Sequence, residues 1–331
     1  MHRLLFDYDL PAHAIAQKPI MPRDSARLLD ARSLTDYSFS DLPNLLRPND
    51  VVVVNNTRVR AARLIGRKET GGAVELLLLD RQDEDWTALI RPARRVRAGL
   101  VVRFGDDMAT ITSDPVDGVV SVRFARDGDE VAAQRGQVPL PPYIHFALED
   151  PNRYQTVYAG PVGSAAAPTA GLHITSGVLS ALVAKDVAIV ETELRVGLDT
   201  FRPIATENIE DHEMHSEWRA VPQETVDVIR RARSQGGRVI AIGTTVVRTL
   251  ESAVIDGALS AVHGPTDIFI RPGHTFQVVD CLVTNFHVPG STLLVMISSM
   301  LPNWRQTYAH ALEHGYRFLS FGDAMFIEVE K

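Results

Sequence analysis

The chain has 331 residues, of which 45% are hydrophobic and 23% charged, so disorder is excluded as its general state and at least one substantial core is expected. The only cysteine, Cys281, excludes an intramolecular disulfide framework and a thiolate-rich zinc site, and it favours a reducing compartment, the cytoplasm. The net charge of −7 argues against a heavily basic nucleic-acid coat, although locally clustered cations could still attract tRNA.

The first 60 residues predict short elements and one buried strand. Asp7 and Asp9 interrupt the N-terminal apolar stretch before the core of an export signal could form. No apolar run approaches the roughly 20 residues of a membrane-spanning helix, so we expect a soluble protein without a membrane partner. Val51 to Val54 form a β-branched run without polar alternation, which predicts a strand buried on both faces.

A change in the pattern of apolar and turn-forming residues along the sequence predicts the domain organisation. Residues 61–152 consist of short alternating segments separated by Gly- and Asp-rich turns, which are typical of a small antiparallel β-barrel or sandwich. The prolines between Pro139 and Pro142 close this region, because prolines cannot continue a strand ladder. Beyond Tyr154, helices alternate with β-branched strands. We therefore predict an α/β main domain with a mostly parallel sheet, residues 1–60 and 153–331, interrupted by an inserted antiparallel β-barrel domain, residues 61–152.

The first candidate segment runs from Ala167 to His173 and contains Thr169 and Gly171. Its small residues would let a ligand approach backbone amides at the start of a helix. An ordinary tight connection explains the same pattern equally well, and a lone histidine such as His173 is more often structural. The segment predicts a binding loop only in combination with other evidence.

The second candidate segment, Asp211 to Glu217, concentrates two imidazoles and several carboxylates. Such groups can accept and return protons near neutral pH. A zinc-protease motif is excluded, because it needs histidines four residues apart, whereas His212 and His215 are three apart. The alternative is a solvated polar edge of a strand or loop, and we expect no metal.

Two further segments each place polar residues between an apolar strand and a helix. Ile240 to Leu250 predicts a strand, a glycine turn and a helix that begins at Thr244 and Thr245, a geometry that suits an anion or nucleoside. It lacks the glycine spacing of a dinucleotide fold and the lysine of a P-loop. Val283 to Thr292 contains Asn285 and His287 beside Phe286, a combination that can pair with and stack on a base. Simple N-terminal caps of helices explain both segments as well.

Arginines cluster in or beside the predicted barrel domain. Most surface arginines are only solvated, so their position matters more than their number. We expect four of them to contact tRNA phosphates: Arg58, Arg60, Arg94 and Arg95.

Ten sequence segments, taken in order, resemble the S-adenosylmethionine:tRNA ribosyltransferase-isomerase family of queuosine biosynthesis. They extend along nearly the whole chain and read FDYDLP, PRDSARLL, NNTRVRAARL, PLPPYI, RYQTVYA, AAPTAGLH, HEMHSE, GTTVVRTLES, TNFHVPGSTLL and YRFLSFGDAMFI. The resemblance implies an α/β domain interrupted by a small β-barrel. It also implies that the ribosyl unit of S-adenosylmethionine is transferred to 7-aminomethyl-7-deazaguanine at the tRNA wobble position, giving epoxyqueuosine with release of adenine and methionine.

The implied reaction assigns roles to the candidate residues. A base must remove a proton from the carbon beside the sulfonium, and a donor must assist the departing adenine. For proton transfer we select His215, ahead of His212, Glu213 and Glu217. For substrate binding we select the polar residues of the other segments, namely Thr169, Gly171, His173, Thr244, Thr245, Arg248, Asn285 and His287. S-adenosylmethionine is then a co-substrate, no further cofactor or metal is required, and we expect a monomer.

Four positions depart from the family pattern. We expect an acidic residue in place of Asn56, a glycine in place of Asp199, a basic residue in place of Gly290 and a tyrosine in place of Phe321. A divergent member that acts on another acceptor therefore stays open, as does a non-catalytic tRNA-binding relative. A generic methyltransferase is disfavoured, because no glycine-rich loop with a downstream acidic residue is evident.

Overall fold

The computed structural model describes residues 1–146, 148–197 and 203–329, without the side chain of Gln82. The chain divides into two compact units: residues 1–58 together with those from Pro141 onward, here the α/β unit, and Val59–Leu140, here the barrel unit. The insertion predicted from the sequence extends further, to residue 152. Residues after Pro141 already belong to the α/β unit, where the Tyr143 hydroxyl lies 2.7 Å from that of Ser320 and the Gln17 amide donates to the Tyr143 carbonyl.

The elements follow in chain order. The first part of the α/β unit contains β1 (Arg27–Asp30), β2 (Thr35–Ser38), α1 (Leu42–Leu45) and β3 (Val51–Asn55), followed by the boundary strand β4 (Arg58–Val59). The barrel unit contains β5 (Arg63–Lys68), β6 (Ala73–Gln82), β7 (Asp85–Arg91), β8 (Val101–Phe104), β9 (Asp107–Ile111), β10 (Val119–Phe124) and α2 (Gly128–Arg135).

The second part of the α/β unit is the longer one. It contains β11 (Val162–Ser164), α3 (Ser176–Val183), β12 (Ala188–Leu194), β13 (Glu217–Val221), α4 (Gln223–Ser234), β14 (Val239–Ile242), α5 (Thr244–Glu251), β15 (Val254–Ile255), β16 (Ala258–Leu259), β17 (Val262–Thr266), β18 (Cys281–Asn285), α6 (Thr292–Met300), α7 (Trp304–Glu313) and β19 (Ala324–Glu328). Short 3₁₀ helices connect several of these, including one at Thr169–His173.

A nine-stranded mixed sheet forms the centre of the α/β unit, in the order β17-β13-β12-β3-β14-β18-β19-β1-β2. Its central strands β12, β3, β14 and β18 are parallel, and the pairs toward both edges are mainly antiparallel. In β3 the valines alternate between two cores: Val51 and Val53 belong to one, Val52 and Val54 to the other, and none is more than 1% exposed. The predicted strand buried on both faces is confirmed.

The barrel unit is a closed antiparallel barrel in the order β10-β7-β6-β5-β8-β9. Its core includes Trp86, against which the start of α2 packs closely: a Cβ at Gly128 would lie 2.3 Å from the indole nitrogen, so only glycine fits there. An α/β domain interrupted by an antiparallel barrel is therefore confirmed. No helix in the described part of the chain is long and apolar enough to cross a membrane.

The parallel centre of the sheet decides where polar residues meet. Strands β3, β12, β14 and β18 end at Asn55, Leu194, Ile242 and Asn285, and their parallel direction brings these carboxyl ends to one edge. In open α/β sheets ligands bind in the crevice at that edge. Three of the segments singled out in the sequence lie there.

Candidate active site

A cavity lies at this edge of the α/β unit and encloses about 680 Å³ of empty space, part of it open to solvent. The wall is formed by loops that follow the central strands and by the 3₁₀ helix at Thr169–His173, and it comprises Tyr143, Ala167 to Ala170, Val196, Gly243 to Thr245, Thr284 to Val288, Ser291, Leu293, Leu319 and Ser320.

Asn285 connects two predicted binding residues on this wall. Its carbonyl oxygen accepts a hydrogen bond from the Thr169 hydroxyl at 3.1 Å, and its amide nitrogen lies 3.2 Å from Nε2 of His173. Burial lowers the pKa of His173 to about 4, although a hydrogen bond with the backbone of Arg23 acts in the opposite direction. The ring is thus neutral near pH 7, and its Nε2 accepts the proton of the Asn285 amide. Asn285 is held in one orientation at the cavity wall.

His287 lines the cavity as a buried neutral imidazole. Its Nε2 lies 3.0 Å from the Thr284 hydroxyl, its backbone N–H donates to Tyr308, and its carbonyl accepts from Tyr8. Burial lowers the pKa of His287 to about 3. This ring can form hydrogen bonds with a ligand but is a poor source of positive charge.

The turn between β14 and α5 places Thr244 and Thr245 on the cavity wall. Gly243 allows the turn, because its φ of +91° is unfavourable for residues with a side chain. The Thr245 hydroxyl is buried and has no hydrogen-bond partner among the described residues. Buried polar atoms are nearly always paired in native proteins, so this hydroxyl is available to a ligand.

Gly171 is explained by packing within the protein. A Cβ at this position would lie 2.0 Å from the Tyr158 hydroxyl, so only glycine fits against that ring. Gly171 and His173 lie on the same 3₁₀ helix as Thr169, but they are not on the cavity wall. The structure therefore gives Gly171 a packing role and His173 a supporting contact with Asn285.

A buried ionic cluster adjoins the cavity at the start of β13. Glu217 forms an ion pair with Arg248, lies 3.3 Å from Nε2 of His215 through Oε1, and accepts the backbone N–H of Gly197 at 2.8 Å. Burial alone would raise the pKa of Glu217, but the close contact with His215 and the charge of Arg248 hold it below its usual value. The carboxylate is therefore ionised and orients both partners.

Two short connections join the cluster to the cavity wall. Val196 lies on the wall, and the next residue, Gly197, donates to Glu217. Thr245 lies on the wall, and Arg248 follows one turn later on α5. The Arg248 guanidinium also keeps Nη2 buried without an acceptor among the described residues. Residues of a predicted catalytic segment and of a predicted binding segment thus meet beside one cavity.

The other two predicted proton-transfer residues lie further out. His212 is half-buried, packs edge-on against Phe269 at 5.5 Å, and has a pKa lowered by burial and by the nearby His215. Glu213 is exposed to solvent. The structure thus brings His215 and Glu217 together with Arg248 and leaves Glu213 outside this cluster.

The four predicted tRNA-binding arginines differ in their surroundings. Within the α/β unit, Arg58 donates to the Ala159 carbonyl. Within the barrel unit, Arg60 lies over the Trp86 ring and 3.8 Å from Asp129, whereas Arg94 and Arg95 are exposed. Arg94 and Arg95 are the two that a polyanion could reach without displacing a protein contact.

Sequence reasoning missed Tyr143 and Ser320 as wall residues. They lie within PLPPYI and YRFLSFGDAMFI, segments that carried the family resemblance without any assigned role. Their hydroxyls are within hydrogen-bond distance of each other across more than 170 positions of sequence, a proximity that no local pattern reveals.

Three of the four positions that depart from the family pattern have local explanations in the structure. The Asn56 amide donates to the Glu191 carboxylate at 2.7 Å, so an acidic residue at 56 would face a like charge. Gly290 has a φ of +66°, a conformation that favours glycine over the expected basic residue. Phe321 packs edge-on against Tyr154. Asp199 lies outside the described residues.

Comparisons with known proteins agree with one another. The model of a family described as queuosine biosynthesis protein matches residues 4–327. The S-adenosylmethionine:tRNA ribosyltransferase-isomerases of Desulfitobacterium hafniense and Symbiobacterium thermophilum are 50% and 48% identical to this chain, each over 97% of it and 98% of the relative. The crystal structure of S-adenosylmethionine tRNA ribosyltransferase from Thermotoga maritima aligns with a TM-score of 0.56 at 33% identity, covering 97% of this chain and 99% of that one.

Proposed function

This chain belongs to the queuosine biosynthesis family of S-adenosylmethionine:tRNA ribosyltransferase-isomerases, and on that premise we propose that its cavity joins the ribosyl unit of S-adenosylmethionine to 7-aminomethyl-7-deazaguanine at the tRNA wobble position. The products are epoxyqueuosine in tRNA, free adenine and methionine. The observation that carries the proposal is the 50% identity to a named enzyme over nearly the full length of both chains.

The chemistry of this reaction needs a proton acceptor, a means of stabilising charge and a site that positions two substrates. Overall, the acceptor amine loses a proton and forms a bond to a ribose carbon, while the bonds from the ribose to adenine and to sulfur break. The C–O bond of the ribose ring opens, a new C–C bond closes the cyclopentane, and a new C–O bond closes the epoxide. Adenine leaves with a proton, and methionine leaves with the electron pair of the broken carbon–sulfur bond. The sulfonium acidifies the hydrogens on the adjoining carbon, so a suitably placed base can begin the sequence. No oxidant or reductant is consumed.

His215 is the residue we assign to proton removal. Glu217 faces its Nε2, so Nδ1 is the ring nitrogen that remains to receive a proton from the donor. The carboxylate offsets the positive charge that the imidazole gains in this step. Arg248 in turn fixes Glu217, because the ion pair with Arg248 and the bond from Gly197 hold both carboxylate oxygens.

The cavity wall supplies the groups that would bind the substrates. The Thr245 hydroxyl and Arg248 Nη2 are buried polar atoms without partners among the described residues, and both belong to α5. Thr169 and Asn285 contribute a hydroxyl and an amide from the 3₁₀ helix and the end of β18, and His287 adds a neutral imidazole. Apart from the Arg248 guanidinium, which lies beside the wall and is paired with Glu217, these groups are uncharged donors and acceptors, which suit nucleobase and ribose recognition better than they suit a phosphate.

The finer points of partner and location follow from the same function. The exposed arginines Arg94 and Arg95 would contact tRNA phosphates, and Arg58 and Arg60 would do so only after giving up contacts within the protein. Because its substrates are tRNA and S-adenosylmethionine, we place the enzyme in the cytoplasm and propose that it acts as a monomer without a metal or further cofactor.

One alternative acceptor is favoured by a specific observation. Asn56, which donates to Glu191, stands where an acidic residue is expected, and Gly290 stands where a basic residue is expected. The loops that carry these two residues could therefore present a different surface to the acceptor. A divergent enzyme with the same donor and another acceptor is the second candidate.

The test of the proposed function is a search for adenine. The protein is incubated with S-adenosylmethionine and tRNA carrying 7-aminomethyl-7-deazaguanine, with tRNA of the same sequence carrying guanine as the control, and adenine is quantified by mass spectrometry. We expect one adenine released for each tRNA modified, and none with the control. Formation of S-adenosylhomocysteine, or the absence of adenine with folded protein, would contradict the proposal. Adenine released with another acceptor alone would favour the second candidate.

A further inference from the structure

A second, smaller pocket adjoins the cavity within the α/β unit. It is an open, shallow pocket with about 240 Å³ of empty space that includes open solvent, and it is lined by Pro19, Ile20, Arg23, Arg153, Ser320 and Phe321, among others. Ser320 belongs to both walls, and His173 lines the small pocket while its Nε2 contacts Asn285 on the wall of the cavity. A group bound in this pocket would therefore lie close to a substrate in the cavity.

Two arginines without a direct ion pair among the described residues line this pocket. Arg23 donates to the carbonyls of Gln155 and Asn152, and Arg153 donates to the carbonyl of Ile20. Neither guanidinium forms an ion pair with any carboxylate in the part of the chain that the structure describes. Burial lowers the pKa of both, and the charge of Arg153 lowers that of Arg23 further, whereas the charge of Asp150 raises the pKa of both arginines. The two cations repel each other, and an anion between them would remove that cost.

The surface beside the pocket has features of a nucleic-acid contact. The ammonium group of Lys18 lies 5.6 Å from the ring centre of Phe146, which is 55% exposed. Arg317, which forms an ion pair with Asp323 at 3.7 Å, donates to the Lys18 carbonyl next to Pro19 and Ile20. Cations beside an exposed aromatic ring are typical of surfaces on which an unpaired base stacks while its phosphate is neutralised.

We propose that the Arg23–Arg153 pocket binds a backbone phosphate of the tRNA next to the nucleotide that is modified. The inference rests on the proposed function for the identity of the RNA. Guanidinium groups match phosphate oxygens in a two-pronged geometry. Both arginines are half-buried at the protein surface. A polymer backbone that runs past the cavity can therefore reach them. The carboxylate of S-adenosylmethionine is the competing anion.

The test measures binding of the two substrates separately. Affinity for a fluorescent anticodon stem-loop is determined over a range of KCl concentrations, and affinity for S-adenosylmethionine is determined by calorimetry. The variants are Arg153→Gln, which removes one guanidinium, and Pro19→Asp, which adds a carboxylate to the wall and leaves the bonds of both arginines in place. Arg230→Gln is the matched control, because Arg230 is an exposed arginine that also donates to one carbonyl, that of Leu259, and lines neither pocket.

We expect both pocket variants to bind the stem-loop about tenfold more weakly, with the slope of log affinity against log salt reduced by about one phosphate contact. S-adenosylmethionine affinity and the Arg230→Gln control should be unchanged. If Arg153→Gln does not fold, as judged by thermal unfolding, Pro19→Asp decides.

Three results would overturn the inference: unchanged RNA binding in Pro19→Asp, weaker binding of S-adenosylmethionine with normal RNA binding, or an equal loss in Arg230→Gln. Unchanged RNA binding in Pro19→Asp would show that the two arginines only connect loops of the protein. Weaker binding of S-adenosylmethionine with normal RNA binding would assign the pocket to S-adenosylmethionine. Weaker RNA binding by the variants of a protein that releases no adenine would support the phosphate site while contradicting the proposed function.

Discussion

At the residue scale, the proposed mechanism assigns proton removal to His215, a histidine that lies beside a buried carboxylate. Glu217 is only 1% exposed in its side chain, and His215 is 18% exposed, so the carboxylate lies in the core and the imidazole is partly accessible. The ion pair with Arg248 keeps Glu217 charged despite burial. A charged, immobile partner holds the imidazole in one orientation for proton transfer.

His215→Ala should reduce the rate of adenine release by on the order of a hundredfold or more, while calorimetric affinity for S-adenosylmethionine stays nearly the same. His212→Ala is the matched control, because His212 packs on Phe269 outside the buried cluster, and it should lose much less activity. Normal turnover in folded His215→Ala would remove this residue from the mechanism. A combined loss of melting temperature and donor affinity would indicate a structural role instead.

The two buried histidines make stability depend on pH. Their pKa values are about 4 for His173 and about 3 for His287, below the ordinary 6.5, because burial disfavours the charged ring. Below pH 6.5 the unfolded chain binds these protons while the folded protein does not, so stability is complete above 6.5 and falls as the pH decreases toward the folded values. Each ring should cost about 2 kcal/mol at pH 5 relative to pH 7.

The pH effect is checked by urea unfolding at pH 7 and pH 5, an interval in which most carboxylates stay ionised in both states. The wild-type protein should lose stability over this step, and His287→Gln should lose about 2 kcal/mol less, since it lacks one titrating ring. Equal losses in the two proteins would show that His287 does not stay neutral in the folded state.

At the element scale, the cavity wall is built from the segments that follow the carboxyl ends of neighbouring strands. Strand β14 passes into α5 through a single glycine, and β18 ends at Asn285, whose amide contacts the 3₁₀ helix at Thr169–His173. Each segment alone is an ordinary connection. Together these segments form part of one cavity wall, because β14 and β18 are adjacent and parallel and their carboxyl ends therefore lie side by side.

Gly243→Ala should lower the free energy of unfolding by about 1–3 kcal/mol, because alanine disfavours a φ of +91°. Crowding adds little, since the nearest atom to the new methyl group would be the Ala170 Cβ at 3.5 Å. Gly177→Ala is the control: Gly177 lies in the first turn of α3, the nearest atom to the new methyl group would be the Thr175 Oγ1 at 3.5 Å, an ordinary contact, and the change should be neutral or slightly stabilising. Equal stability of the two variants in chemical denaturation would contradict the strained turn.

Elements were easier to predict from the sequence than the site. The valine run of β3 and the alternation in the barrel strands reflect local burial, which a linear pattern records directly. The ion pair of Glu217 with Arg248 and the contact of Thr169 with Asn285 join residues 31 and 116 positions apart. Their proximity depends on strand order, which no local pattern contains. Gly171 shows the converse error, because a glycine suited to a ligand is in fact required by the Tyr158 ring.

At the scale of the whole molecule, the chain combines an α/β unit that carries the cavity with a closed barrel that carries exposed arginines. The family resemblance supplied the reaction, and the relatives of 50% and 48% identity support it along nearly the entire chain. The structure adds the local arrangement: a histidine and carboxylate near a cavity of neutral polar groups and, in the adjoining pocket, two arginines without a direct ion pair among the described residues.

The central claim is that S-adenosylmethionine gives its ribosyl unit and not its methyl group. The most direct measurement uses two donors, one with ¹³C in the ribose and one with ¹³C in the methyl group, and determines the mass of the modified nucleoside after tRNA digestion. We predict that the ribose label enters the nucleoside, that all five ribose carbons are retained, and that the methyl label leaves entirely in methionine. Methyl label in the tRNA, or modified tRNA without ribose label, would contradict the account.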